Sequence, residues 1–187
     1  MVAELPRQTP FGNMAFYPDK DDGMTDDDGV SMENLRTRID GGLMSHGPVE
    51  NRDCSACHLV HGGENFRMLV EDYPAKFYAP YDEDLYALCF SCHEVDVFSA
   101  AETTSLTGFR DGVQNLHYVH VNMDRRGRTC RACHEVHAAP HEHMVRKDVP
   151  SGKSGWRLQV NYERPPDGGT CAKTCHATKS YTRTARR

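Results

Sequence analysis

The chain is poor in the large apolar side chains from which a protein core is normally built. Its 187 residues include 10 Leu, 1 Ile, 14 Val, 7 Phe and a single Trp. Chains with so little aliphatic material are usually disordered or depend on something other than aliphatic packing. A net charge of −5 is too small for self-repulsion to unfold the chain. We therefore predict that a large non-protein group fills the interior.

Long hydrophobic runs are also missing. No window approaches the roughly 18 uncharged apolar residues of a membrane span, and residues 1–9 lack the apolar run of a secretory signal. We expect no membrane span and no export signal at residues 1–9. The net charge of −5 also leads us to expect no nucleic-acid partner.

No cysteine stands apart from a pair, and every pair is followed directly by a histidine. The four groups are Cys54, Cys57 and His58; Cys89, Cys92 and His93; Cys130, Cys133 and His134; and Cys171, Cys175 and His176. Three are C-x-x-C-H, and the last is the longer C-x-x-x-C-H. Two thiols at this spacing can add to the two vinyl groups of one haem, and the adjoining imidazole then binds the iron.

Other uses of paired cysteines fit this pattern less well. Zinc ribbons have pairs at about half these separations and do not need a histidine after each pair. Redox disulfides in C-x-x-C would need a thioredoxin-like βαβ context, which is missing. The pattern predicts four covalent c-type haems, with the eight cysteines as attachment points and the four motif histidines as proximal iron ligands.

Seven further histidines can supply the second axial ligands. We predict His46, His61, His120 and His137 as distal ligands, with His117 as the strongest rival. His61 and His137 each follow a motif histidine by three residues, about one helical turn, and could reach a neighbouring iron but not their own. The remaining two, His141 and His143, lie in a stretch typical of a solvated loop.

The motifs divide the chain into two dihaem modules in tandem. We predict an acidic segment without haem at residues 1–45, a first module at 46–100, a linker at 101–116 and a second module with a basic tail at 117–187. The fold class predicted is mainly irregular with short α-helices and little β-structure, around a core of four closely packed haems. Asp82 can cap a helix that leads into the second motif.

The two ends of the chain differ in charge. Residues 19–28 hold six Asp and one Lys, which allows a calcium loop, although a solvated acidic loop is favoured because the later Glu of an EF-hand is missing. Residues 177–187 are basic and carry no acid. Two solvated tails are the simplest interpretation, and head-to-tail attraction between copies is the alternative.

These motifs resemble the doubled C-x-x-C-H multihaem c-type cytochromes over about residues 42–181. The resemblance rests on residues 46–62, 88–93, 108–137 and 168–181. It implies electron transfer outside the cytoplasm, in the periplasm or at the cell surface, by haems with two histidine ligands. Some similar tetrahaem proteins polymerise into extracellular filaments; others are periplasmic carriers or subunits of respiratory complexes.

The function predicted is therefore the passage of single electrons along four haems, not an enzymatic reaction. The partners expected are redox proteins and, in a filament, further copies of the chain. The competing interpretation is a haem reductase, which requires an iron with an open axial position, and the surplus of histidines argues against it.

Overall fold

The computed structural model of the chain describes residues 39–41, 44–124, 126–150, 157–172 and 175–184. Over these residues the helices and strands are short and irregular segments connect them. Glycine, proline and polar residues recur between the apolar ones, so no long amphipathic run can form. The prediction of a mainly irregular fold with short helices and little β-structure is confirmed.

Each helix has only one or two turns. The α-helices described at both ends are α1 (Gly47–Glu50), α2 (Ala87–Phe90), α3 (Asp96–Ser99) and α4 (Leu116–Val121). Tighter 3-10 turns cover Cys54–Ala56, Phe66–Met68, Asp84–Tyr86, Cys130–Ala132 and Glu142–Met144. Asp82 lies one residue before the cap position of the turn that precedes α2, which is Glu83, and its Oδ1 accepts from the backbone N of Asp84 at 3.0 Å.

The strands form small antiparallel sheets. They are β1 (Met44–Ser45), β2 (Arg110–Asp111), β3 (Gln114–Asn115), β4 (Ala138–Ala139), β5 (Asp148–Pro150), β6 (Arg157–Gln159), β7 (Tyr162–Glu163), β8 (Gly168–Cys171) and β9 (Lys179–Thr182). Their pairings are β1 with β4, β2 with β3, β5 with β6, and β7–β8–β9 in one sheet. Strand β8 ends at Cys171, so this sheet leads directly into the fourth motif.

An internal repeat relates residues 54–70 to residues 130–146 without insertion. In both copies the motif histidine forms an isolated β-bridge eleven residues ahead, His58 with Leu69 and His134 with Val145. The next backbone NH donates across the same loop at 2.8 Å, from Leu59 to Met68 and from Glu135 to Met144. The two modules therefore share one local fold around their first motif.

One local expectation is wrong. The 3-10 turns end at Ala56 and Ala132, and the chain is not helical where His61 and His137 lie. The motif histidines enter β-bridges instead. The spacing of three residues therefore does not put either histidine one helical turn beyond its motif.

A buried cluster that is mainly aromatic lies among the described residues. Leu69, Tyr73 and Tyr86 form its centre, and Cys57, Phe66, Tyr81, Leu85, Leu88, Cys89, Phe90 and Cys130 pack around it. Three of the four cysteine motifs thus meet at one core. Among the described residues no helix is long and apolar enough to cross a membrane.

Candidate functional site

The first three motifs have the same backbone geometry, which brings both thiols and the histidine together. The backbone NH of the histidine donates to the carbonyl of the first cysteine, at 3.0 Å in His58, 2.9 Å in His93 and 2.9 Å in His134. This hydrogen bond closes one turn of the chain, and both cysteines and the histidine of the motif lie in that turn. In the fourth motif, residues 173 and 174 lie outside the described part of the chain.

Each motif histidine faces one histidine from elsewhere in the chain. We number the pairs by their motif: site 1 is His58 with His137, site 2 is His93 with His46, site 3 is His134 with His117, and site 4 is His176 with His120. Their ring centroids are 6.2, 6.0, 6.4 and 6.5 Å apart, and their ring planes are inclined by 17°, 12°, 21° and 40°. Eight of the 11 histidines are used, each once.

These separations suit a metal ion with one imidazole bound on each of two opposite sides. Two imidazoles bound on opposite sides of one metal ion at nitrogen–metal distances of about 2 Å have ring centres about 6 Å apart. Imidazoles in direct face-to-face contact would be much closer. The four centroid separations differ by no more than half an ångström, which indicates one repeated chemical arrangement.

Hydrogen bonds to the backbone fix the orientation of four of these rings. The Nδ1 atoms contact the carbonyl oxygens of Arg67, His143, Leu116 and Ala177, at 3.1 Å from His58, 2.8 Å from His134, 2.6 Å from His120 and 2.7 Å from His176. A carbonyl can only accept, so Nδ1 carries the proton and Nε2 keeps its lone pair for a metal. In site 3, the ring of His117 contacts the Thr107 hydroxyl at 3.2 Å.

The carbonyl acceptors of sites 1 and 3 come from a strained turn that both repeats contain. Arg67 has φ of 54° and His143 has φ of 56°, and the following Met68 and Met144 are also left-handed. Non-glycine residues adopt this conformation at an energetic cost. In both repeats the turn aims a carbonyl at the motif imidazole.

Burial keeps several of these imidazoles uncharged. It lowers the pKa of His46, His120 and His134, and it lowers the pKa of His117 to about 4, with a further contribution from the neighbouring rings. A neutral imidazole is the form that binds a metal.

Two short elements carry the non-motif histidines. Helix α4 bears His117 and His120, and Asn115 caps it by accepting from the NH of His117 at 3.0 Å. The other two adjoin the β1–β4 pair, where the NH of His46 donates to the carbonyl of His137 at 3.1 Å. Sites 3 and 4 therefore share a helix, and sites 1 and 2 share a sheet.

The structure brings His46, His120, His137 and the rival His117 opposite motif histidines. His61 is exposed and has no ring partner among the described residues, and His141 and His143 are also exposed. The distal-ligand assignment itself stays a prediction. The sequence did contain an Asn cap followed by two histidines three residues apart, which puts His117 and His120 on one helix face but does not show which motif either ring faces.

The residues suit a haem in a further respect. The Tyr86 side chain is buried, and its hydroxyl has no hydrogen-bond partner among the described residues. It lies in the cluster to which Cys57, Cys89 and Cys130 contribute. A buried hydroxyl normally has a hydrogen-bond partner, and one left without a partner beside three motif cysteines indicates that a bound group completes this part of the core.

The proposed calcium loop at residues 19–28 lies outside the described residues. Within the described ranges no group of three His, Cys, Asp or Glu side chains could hold a metal ion.

Comparison with known proteins supports the same chemistry. Residues 46–98 match the protein family described as the doubled CXXCH motif. The matched range contains the first two motifs and His46, and it indicates covalently bound c-type haem and electron transfer. No curated protein and no solved structure matches the chain.

Proposed function

We propose that the chain is a tetrahaem c-type cytochrome that transfers single electrons. The observation that carries the proposal is the set of four imidazole pairs, each of which joins a motif histidine to a second histidine. The match of residues 46–98 to the doubled CXXCH motif supports haem attachment in the first module independently of this geometry.

The residues that would hold each haem follow from these pairs. They are Cys54, Cys57, His58 and His137 at site 1; Cys89, Cys92, His93 and His46 at site 2; Cys130, Cys133, His134 and His117 at site 3; and Cys171, Cys175, His176 and His120 at site 4. When bound, a haem with two imidazole ligands supplies a one-electron couple between ferric and ferrous iron.

The protein's own part is to keep each imidazole in one orientation and one protonation state. Backbone carbonyls hold the rings of His58, His120, His134 and His176 in the tautomer whose Nε2 is free. Ligands that do not move between oxidation states keep the reorganisation energy of electron transfer small.

Contacts between neighbouring sites support an electron path in the order of the motifs. Sites 1 and 2 are linked by the backbone bond between His46 and His137. For sites 2 and 3 the link is the cluster against which Cys89 and Cys130 both pack. Sites 3 and 4 are linked by α4, on which His117 and His120 lie one turn apart.

A haem reductase is the competing function, and it differs in one measurable respect. A reductase needs one iron with an open or exchangeable axial position, whereas the proposed carrier has two imidazoles at every iron. We expect the purified protein to carry four haems per chain, to show only low-spin ferric spectra and to bind neither cyanide nor nitrite rapidly. A high-spin haem in the native protein, or rapid binding of either anion, would favour a reductase.

The setting proposed is extracytoplasmic, with redox proteins as partners. The acidic residues near the start and the basic residues 177–187 support head-to-tail assembly of copies into an extracellular filament. A periplasmic shuttle, or an electron-transfer subunit of a respiratory complex, is the alternative.

A further inference from the structure

A buried ion pair lies between sites 1 and 3. Nη2 of Arg146 donates to Oε2 of Glu135 at 2.8 Å, and only 12% and 9% of the two side chains are exposed. Burying two charges has a large desolvation cost, which can cancel the attraction between them. A gain in stability is therefore a poor explanation for the presence of this pair.

The internal repeat shows that the local fold does not need this pair. The positions of Glu135 and Arg146 correspond to Leu59 and Val70 in the first repeat, where the same bridges and backbone hydrogen bonds form. An apolar pair therefore suffices for the loop. The charges distinguish the second repeat from the first.

The two charges point toward different sites. Oε1 of Glu135 accepts from the NH of Val136 at 3.1 Å and lies 4.0 Å from Nδ1 of His137, whose ring faces His58. The negative end of the pair is thus beside the distal imidazole of site 1.

The positive end belongs to the loop of the third motif. Nη1 of Arg146 donates to the carbonyl of Arg131 at 2.7 Å, and its backbone NH donates to the carbonyl of Cys133 at 3.0 Å. The guanidinium therefore crosses the loop that holds the motif histidine of site 3.

We propose that Glu135 and Arg146 act as a fixed dipole that separates the reduction potentials of the two sites it adjoins, lowering that of site 1 and raising that of site 3. This inference rests on the proposed haem function. The ferric state carries one more positive charge than the ferrous state, so a nearby carboxylate favours ferric iron and a nearby guanidinium favours ferrous iron. A carboxylate near a ligating imidazole also strengthens that ligand. Burial keeps solvent from screening either charge.

The first test is Glu135→Gln in the fully loaded protein, with Glu94→Gln as the matched control. Glu94 follows His93 as Glu135 follows His134, but it is exposed. In a spectroelectrochemical titration we expect one of four midpoint potentials to rise in Glu135→Gln. We expect a much smaller shift in Glu94→Gln, because solvent screens an exposed charge. A His137→Met variant identifies the component of site 1, since methionine ligation raises a haem potential.

A double variant tests the dipole without changing the net charge. Glu135→Leu with Arg146→Val installs the residues of the first repeat, and we expect the potentials of sites 1 and 3 to move toward each other while the other two stay constant. If Glu135→Gln loads haem poorly, the midpoint potentials of this double variant still test the proposed dipole. Haem count and the low-spin spectrum, recorded on every variant, test the proposed function separately.

Four low-spin haems with unchanged midpoint potentials in both variants would overturn the inference and leave the proposed function intact. An equal shift in Glu135→Gln and Glu94→Gln would overturn it too, since burial would then make no difference. Absence of four low-spin haems in the native protein would overturn the proposed function itself.

Discussion

At the scale of single residues, a metal site of this kind depends on which nitrogen of each imidazole carries the proton. The carbonyls of Arg67 and His143 decide this for His58 and His134. Both carbonyls come from residues in the left-handed conformation. The same turn thus recurs where the same imidazole orientation is required, which gives the backbone strain a chemical purpose.

The choice between His61 and His117 as distal ligand can be tested by replacing each with alanine. We expect His117→Ala to keep four covalent haems but to turn one of them high-spin, because its ring faces His134 at 6.4 Å. We expect His61→Ala to leave the ferric spectrum low-spin, because His61 is exposed. Electron paramagnetic resonance of the ferric proteins measures both. A high-spin signal in His61→Ala and none in His117→Ala would exchange the two assignments.

At the scale of elements, the six-residue helix α4 is too short to be stable by itself. Its position depends on Asn115, which is fully buried. The Asn115 amide accepts from the NH of His117 and donates to the carbonyls of Val97 and Ala100, each at 2.8 Å. One side chain thus caps the helix and fastens it to the end of α3.

We expect Asn115→Ala to lower the free energy of unfolding by at least about 2 kcal/mol, because it removes a helix cap and two further hydrogen bonds of a fully buried side chain. The matched control is Asn65→Ala, which removes one amide hydrogen bond, to the carbonyl of Leu69, from a side chain that is only half-buried, and should cost no more than about 1 kcal/mol. Guanidinium denaturation of the haem-loaded proteins gives both values. Equal losses in the two variants would contradict a special role for Asn115.

At the scale of the whole molecule, the two halves of the chain are linked through histidines as well as through packing. Site 1 pairs His58 from the first repeat with His137 from the second. Cysteines from both halves pack against the cluster that includes Tyr86. With so few aliphatic residues available, the attached haems would supply much of the apolar surface that a folded chain requires.

Filament formation is tested by electron microscopy and size-exclusion chromatography of the native protein across a concentration series. If the acidic start and the basic end of the chain attract each other, we expect regular filaments that shorten as salt is added, because salt screens exposed charges. Arg186→Gln with Arg187→Gln should weaken assembly. The control Lys76→Gln with Lys147→Gln removes the same charge from exposed positions elsewhere and should not. Discrete particles at every concentration would instead favour a shuttle or a subunit.

The sequence by itself determined the chemistry that is local along the chain. Two cysteines and a histidine within one turn define a haem attachment motif wherever the turn lies, because all its atoms come from five or six consecutive residues. The scarcity of aliphatic residues likewise predicted an irregular chain with short elements, and the hydrogen bond between Asp82 and Asp84 needed only near neighbours. These features depend on contacts between residues close in sequence.

Only the tertiary structure decided which imidazole faces which motif. The partner of His58 comes from the far module, and spacing alone favoured His61 over His117 because His61 repeats the position of His137. The structure brings His117 opposite His134 because Asn115 fastens α4 there, whereas the segment of His61 stays exposed. The tertiary structure likewise decided that Glu135 and Arg146 form a buried ion pair where the first repeat has Leu59 and Val70. A pairing between distant segments depends on the packing of everything between them, and no local pattern encodes it.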